Sequence, residues 1–467
     1  MPQNKHKKKM HFEISERKVL LRIIDIASVC IAIYFLGEIF TINYFQNIYE
    51  TPIRAGFLVV YLLAFGSVFE MYNLQVASNQ FQTIKSVVIA CSITTLVYML
   101  TPYYAPVIPS RRIEILFFYL AVVGSVFVWR MLYVQFFAAN RFKKNAILIA
   151  ESAHCNTLVK GLGLMDPHYK VVGYVSLDDS NACIKNGDSV TRIDSNKIIK
   201  FVNKCNVSDI IIASKSTEGI TKEIYNQVLQ LLESGYNVRE YSQVYEQLNQ
   251  RIPVQYLERD FFKYFPFSRS NQNQLYQFSA RTVDILFSVI GLLCGAALIP
   301  FILIINLFAN KGSLFYTQER VGRNGRVFKI FKFRTMGINA EKDGAVFSTL
   351  NDVRVTPFGK IMRKSRIDEF PQFINILKGE MSIIGPRPER PVFVKQIAEK
   401  MPFYTTRHII KPGLTGWAQV NYPYGETLED SLVKLQYDLY YIKHRSIYID
   451  INIMVKTFST VLFYRGQ

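Results

Sequence analysis

Long apolar runs dominate the first third of the chain, at roughly 19–42, 51–71, 84–100 and 113–138. Each approaches or exceeds the about 20 residues an α-helix needs to cross a bilayer, so the pattern predicts four membrane-spanning helices within residues 1–140. Glu38 and Arg54 fall near the ends of the first two runs, where charge is tolerable, and Thr101-Pro102 closes the third. From about 145 to 250 the pattern shortens. Ala146–Ala150, Val171–Val175 and Ile210–Ala213 read as buried strands, and Ile224, Val228, Leu231 and Leu232 fall on one face of a helix between such strands. Strands alternating with helices predict a parallel, Rossmann-like α/β middle domain over 145–250.

A fifth apolar run, Ile285–Phe308, is interrupted by Pro300. Arg269 and Arg281 precede it, and Lys311, Arg320, Arg323 and Arg326 follow. A straight crossing would leave one basic flank outside, against the positive-inside rule. Pro300 removes a backbone donor and clashes with the preceding turn. Together these predict a helix–break–helix over about 281–309 that re-enters the face it left, with an ordinary fifth crossing as the alternative. The lysines of His6-Lys7-Lys8-Lys9, and Arg141, Lys143 and Lys144, place both ends of the four-helix part on the cytoplasmic side. Arg111 and Arg112 oppose that orientation but are outnumbered. No removable signal peptide is expected.

Composition sharpens this picture. Half the chain is hydrophobic, 19% is charged, and the formal net charge is +19. An anionic partner follows, either lipid headgroups or a phosphate substrate, with nucleic acid disfavoured by the apolar segments. The six cysteines form no Cys-x-x-Cys pair and the six histidines show no ligand spacing, so neither a disulfide framework nor a zinc site is expected. After the first middle-domain strand comes Glu151-Ser152-Ala153-His154-Cys155-Asn156, without the glycines that let a backbone approach a pyrophosphate. That domain is expected to be structural or regulatory.

The chemistry-bearing residues concentrate after residue 311. Gln318–Arg326, with two glycines among arginines, fits a hairpin turn, and Phe328–Met336 fits a strand carrying cations. Arginine grips phosphate oxygens with two bonds, although such residues could equally hold headgroups. Asp352–Lys360 follows, then Arg363-Lys364-Ser365-Arg366-Ile367-Asp368-Glu369-Phe370-Pro371-Gln372. Pro371 suits a first helical turn, which places Asp368 at or near an N-cap, kept ionised by the helix dipole and neighbouring arginines. An ionised carboxylate can attack phosphorus, and a second beside it can hold Mg2+. The plainer reading makes Asp368 a cap and Glu369 a partner of Arg366. Arg387, between Pro386 and Pro388, is presented rigidly, either to an anionic or planar group or to solvent. Trp417 belongs at headgroup level or in a core.

Taken together, Gln318–Gly322, Lys332–Met336, Asp352–Thr356, Asp368–Gln372, Gly379–Pro388 and Lys411–Val420 resemble the bacterial sugar transferase family, the monotopic phosphoglycosyl transferases. The resemblance covers 281–467, and the whole chain looks like the large architecture of that family. It implies a membrane α-helical N-terminal bundle, the Rossmann-like domain, and a mixed, mainly α-helical monotopic catalytic domain over 275–467 with a re-entrant helix broken at Pro300. It further implies transfer of hexose-1-phosphate from a UDP-hexose to undecaprenyl phosphate at the bacterial inner membrane, with the catalytic domain facing the cytoplasm, initiating exopolysaccharide or capsule assembly. Asp368 would be the nucleophile, releasing UMP. Glu369 would bind Mg2+. Arg387 would contact the nucleotide, and Lys332, Arg334, Arg354 and Arg366 would serve phosphates. Anionic lipids are implied as partners, and a homodimer is left open. A fragment beginning near residue 270 is expected to be catalytically competent. One departure concerns the sugar: many members continue after Asn421 with Gly-Arg, where this chain has Tyr422-Pro423-Tyr424-Gly425.

Two rival classes share part of this pattern. An NAD-dependent nucleotide-sugar dehydratase needs the missing glycines and a Tyr-x-x-x-Lys pair, which no tyrosine here supplies. A polysaccharide-assembly scaffold leaves the complete set of blocks unexplained.

Overall fold

The computed structural model describes residues 14–72, 77, 80–109, 111–138, 144–151, 155, 158–162, 169–178, 190–213, 220–254, 271–309, 313–337, 352–401, 403–422 and 427–462. The basic N-terminal cluster, Arg141, Lys143, Arg269, Lys311, most of the stretch after the first middle-domain strand, and Pro423–Gly425 lie outside these residues. The chain forms two compact units, Met1–Lys143 and Lys144–Gln467.

In the first unit the expected runs form helices Ile14–Ile39, Pro52–Val68, Gln80–Leu100 and Arg112–Leu132. The second has 17 residues and follows a short helix, Asn43–Tyr49, across a 90° bend, and the pair taken together is long and apolar enough for one span. At 1.5 Å per residue the longer helix covers about 26 Å, the lower end of what a crossing needs. Thr51-Pro52 starts it, and Glu70 at φ +57° lies just past its end. The other three are long and apolar enough to cross a membrane. Leu21, Ile33, Leu62, Cys91, Phe118 and Val122 pack between the helices, while Ile23, Ile31, Val60, Leu96 and Leu120 point outward. Apolar residues inside and out suit a lipid surround. Asp25 and Arg130 are fully buried there and form a two-bond ion pair, Nε–Oδ1 3.0 Å and Nη2–Oδ2 2.5 Å.

The second unit opens with a parallel five-stranded sheet: β1 (Lys144–Ala150), β2 (Tyr169–Ser176), β3 (Thr191–Arg192), β4 (Asp209–Ala213) and β5 (Asn237–Glu240), in the order β3-β2-β1-β4-β5. Central strand β1 explains its unbroken apolar run. Ala146, Leu148 and Ala150 enter one core, and Ile147 and Ile149 enter another on the opposite face. Parallel strands covered on both faces read as continuous apolar segments.

Helix Tyr241–Asn249 ends at Gln250, which adopts φ +55°, and residues 250–254 then run over the following part of the unit. Ile252 and Val254 are buried in the same core as Ile376, Met381, Trp417, Leu435 and Ile442. This short strap therefore belongs physically to the region that begins, in sequence, near residue 275.

The fifth apolar run is a single 36-residue helix, Gln274–Ala309, with Pro300 inside it. Two helices separated by a break had been expected. A proline removes one backbone bond and crowds the preceding turn, and in an apolar helix neighbouring groups compensate, so the helix continues through it. Beyond it come an antiparallel hairpin, β6 (Phe315–Val321) and β7 (Val327–Phe333), and short helices around a two-stranded parallel pair, β8 (Ser382–Ile384) and β9 (Gly413–Thr415). The hairpin turn uses Asn324 at φ +56° and Gly325 at φ +77°.

Candidate active site

Helix Pro357–Lys364 begins at Thr356, whose Oγ1 accepts from Gly359 N at 2.9 Å. It stops at Ser365, and Arg366 reverses the chain at φ +57°. A non-glycine residue in that region is uncommon and strained by about 1–2 kcal/mol. The reversal delivers a 3-10 segment, Ile367–Gln372, that carries Asp368 and Glu369, followed by helix Phe373–Lys378. Asp368 thus lies inside the turn, while Arg366 occupies the cap position without a side-chain capping bond. Asp368 is near the cap, in the first turn as expected, and the cap position itself belongs to Arg366.

Three cations converge on Glu369. Arg387 Nη2 lies 3.1 Å and Lys332 Nζ 3.6 Å from Oε1, and Arg366 Nη1 lies 3.3 Å from Oε2. Burial opposes ionisation of this carboxylate, but Arg387, Arg366 and Lys332 outweigh it and hold its pKa well below the usual range. Asp368 behaves oppositely. Burial first, then the Glu369 charge, push it up to about 6, against the opposing pull of Lys332, Arg363 and Arg366. Its Oδ1 is buried without a hydrogen-bond partner among the described residues. An adjacent pair is thereby split: one carboxylate held in its charged form and clamped by cations, the other with an oxygen unengaged among the described residues.

The other expected site residues are placed as follows. Arg334 bonds Ser313 through Nε to the carbonyl (3.0 Å) and Nη2 to Oγ (2.7 Å), and it lies over the Tyr316 ring. Arg354 grips Asp352 with Nε at 2.8 Å and Nη2 at 2.6 Å. The cations brought to the carboxylate pair are therefore Lys332, Arg366 and Arg387, joined electrostatically by Arg363, whose Nε is fixed on Thr335 Oγ1 at 3.0 Å. Arg363 stands in the sequence block but carries no signal separating it from its basic neighbours.

Sequence reasoning also missed what holds Arg387. Arg407, itself buried, donates from Nη2 to the Arg387 carbonyl at 3.0 Å, and from Nε and Nη2 to Asp438 Oδ2 at 3.1 and 2.7 Å. Gly385, Gly413 and Gly416 let two backbones cross beside it. A Cβ at Gly385 would sit 2.4 Å from the Lys411 carbonyl oxygen, and one at Gly416 would sit 2.2 Å from the Gly385 oxygen. Trp417 is buried and donates from Nε1 to the Gln250 carbonyl at 3.0 Å, which makes it a core residue.

The site is tied to the long helix at three levels. Arg281 caps the last carbonyls of helix Phe373–Lys378, with Nη1 to Ile376 O at 2.6 Å and Nη2 to Leu377 O at 2.7 Å. Asp284 Oδ1 accepts from Ser382 Oγ and Ile383 N at 2.9 and 2.8 Å. Phe373 and Phe370 pack on Gly291 and Gly295.

Among the described residues no group of three or more His, Cys, Asp or Glu side chains could hold a metal ion. Magnesium usually takes one or two carboxylates and completes its shell with water and substrate phosphates. The Asp368–Glu369 pair, with the unpartnered Oδ1, fits that donor set. Glu369 Oε1 faces Arg387 and Lys332 while Oε2 faces Arg366 alone, so Oε2 keeps an acceptor site for an ion.

The sequence profile of bacterial sugar transferases matches residues 275–464. The chain is 41% identical over 221 residues to a UDP-N-acetylgalactosamine-undecaprenyl-phosphate N-acetylgalactosaminephosphotransferase of Aeromonas hydrophila, covering 47% of this chain but only about half (51%) of that relative. It is 45% identical to a putative undecaprenyl-phosphate N-acetylgalactosaminyl 1-phosphate transferase of Bacillus subtilis, over 30% of this chain and 79% of the relative. A UDP-glucose:undecaprenyl-phosphate glucose-1-phosphate transferase of Klebsiella pneumoniae is 27% identical over 97% of both chains. With the carboxylate pair, its cations and these matches in agreement, the chain belongs to the bacterial sugar transferase family.

Proposed function

We propose that this protein transfers a sugar-1-phosphate from a UDP-sugar to undecaprenyl phosphate through a covalent phosphosugar-Asp368 intermediate. One observation carries the reading: a buried aspartate oxygen with no partner among the described residues, beside a glutamate faced by three cations. In the first step an Asp368 oxygen attacks the β-phosphorus, and the bond from that phosphorus to the bridging oxygen breaks. UMP departs with the electron pair, leaving an acyl phosphate. In the second step an undecaprenyl phosphate oxygen attacks the same phosphorus and Asp368 leaves as carboxylate.

Lys332, Arg363, Arg366 and Arg387 orient the diphosphate and offset its charge. Glu369, with the Asp368 Oδ1 beside it, would hold Mg2+, whose chemistry there is neutralisation of diphosphate charge. Arg334 and Arg354 shape the site from outside, through Ser313 and Asp352. The basic flanks and the supply of nucleotide sugar support a reaction at the cytoplasmic face of the inner membrane, with anionic lipids as partners. The relatives' names include glucose, N-acetylgalactosamine and galactose, so the donor is assigned as a UDP-sugar, and the product as the first lipid-linked sugar of an exopolysaccharide or capsule unit.

The test is incubation of purified protein and Mg2+ with a panel of UDP-sugars and no acceptor. About one equivalent of UMP per chain should appear, with a sugar-phosphate mass on the peptide containing Asp368. Turnover with acceptor but no such adduct would replace the two-step route by direct transfer.

A further inference from the structure

We propose that the middle α/β domain is a positioning element for the nucleotide-facing Arg387, acting through the strap 250–254 and helix Leu428–His444. The inference rests on the reading of Arg387 as a nucleotide contact.

Helix Leu428–His444 is held from two directions. On one side are residues of the middle domain and its strap. Ile252 N donates to the Gln436 carbonyl at 3.0 Å, Tyr245 OH reaches Gln436 Oε1 at 3.4 Å, and Glu246 takes Lys443 at 2.8 Å and His444 at 2.5 Å. Gln250 accepts from Trp417, whose ring stacks on Tyr440 of the same helix. On the other side is Asp438, two residues beyond Gln436, which takes both Nε and Nη2 of Arg407. Arg407 in turn holds the Arg387 carbonyl, and Arg387 holds Glu369.

Each link is a direct contact, and all but the exposed His444 join buried or half-buried groups. Removal of a middle-domain link therefore lets the helix shift, and the shift reaches Arg387 through a charged pair with no slack. A domain without the glycines of a dinucleotide site thus has a role that needs no ligand of its own: it sets the rest position of a substrate arginine.

The test uses full-length protein in detergent, titrated with UDP, alongside its thermal midpoint. Trp417→Phe loses the bond to Gln250 together with part of the buried ring, which the thermal midpoint registers; Glu246→Gln loses the charge facing Lys443 and His444. Each should weaken UDP binding about fivefold, the effect of losing one hydrogen bond's worth of positioning. In an Asp438→Asn background, where the relay is already cut, the added effect of Trp417→Phe should fall to about twofold or less. A lowered midpoint with unchanged UDP affinity would reduce the strap to a structural brace, and full additivity with Asp438→Asn would remove the relay. UDP binding that responds as expected in a protein that transfers nothing would sink the proposed reaction and leave this inference standing.

Discussion

The ring of Phe373 fills the space that a side chain on Gly291 would need: a Cβ there would lie 2.3 Å from Phe373 Cε2. Gly295, one turn further along the helix, receives Phe370, at 3.3 Å from its own notional Cβ. Two glycines four residues apart share a helix face, so the segment bearing Asp368 and Glu369 is keyed to one level of the long apolar helix.

Gly291→Ala should therefore destabilise the catalytic region by about 2 kcal/mol, as overpacking does, and reduce transfer. Phe373→Ala in the same chain should recover part of both losses by clearing the clash. Thermal unfolding in detergent, with UMP release, measures the cycle. Additive losses would mean that the two residues do not compete for the same space.

The raised pKa of Asp368 predicts an acid limb in the first chemical step. The attacking carboxylate must be ionised, so the UMP burst should fall as pH drops through about 6. Lys332 pulls that pKa down, so Lys332→Met should move the limb to higher pH. An unmoved limb would show that the titrating group is another one.

Asp368→Asn should abolish the burst and yet leave a protein more stable than the parent near pH 7. The sign follows from linkage. A carboxyl whose folded pKa lies above its unfolded value is charged at a disadvantage once pH exceeds the folded pKa, so the native chain loses stability as pH rises from about 4 to about 6. The advantage of the asparagine variant should therefore shrink on acidification. Thermal midpoints of the two proteins across that range decide it.

In the first unit, removing either member of the buried Asp25–Arg130 pair strands a charge. Asp25→Ala or Arg130→Met should cost about 3–5 kcal/mol, while Asp25→Leu with Arg130→Met should restore most of it. Protein yield from membranes and the thermal midpoint report the outcome. Equal damage in the double variant would point to a need for the charges themselves.

A chain beginning near residue 270 loses Ile252 and Val254 from the catalytic core. At about 2 kcal/mol for each buried aliphatic side chain, the fragment should be less stable by on the order of 4 kcal/mol and bind UDP more weakly. This revises the expectation, drawn from sequence alone, that such a fragment is competent. A fragment matching the full chain in both measurements would restore it.

Local pattern made much of this legible. The unbroken apolar strands, the hairpin with Asn324-Gly325 at its turn, and the adjacent carboxylates among cations all announce themselves over ten residues or fewer. What failed depended on distant partners. Nothing near Arg407 announces Asp438, 31 residues away; Arg354 is the exception, since its partner Asp352 stands two residues before it and the block reads as serving phosphates instead. Arg366 carries no mark of its left-handed backbone, because the turn that requires it is closed by helices on both sides. Pro300 read as a break because the rule for isolated helices was applied to an apolar one.

The crossing of Gly385 with Gly413 and Gly416 has a consequence for how donor choice can vary. The atoms that would collide there belong to backbones, which cannot swing aside as a side-chain tip can. Libraries that randomise this crossing in search of new sugar preferences should return almost only unfolded chains. Donor preference is therefore sought outside the crossing, in the stretch after Asn421, where Tyr422-Pro423-Tyr424-Gly425 stand in place of the Gly-Arg that the family resemblance leads one to expect.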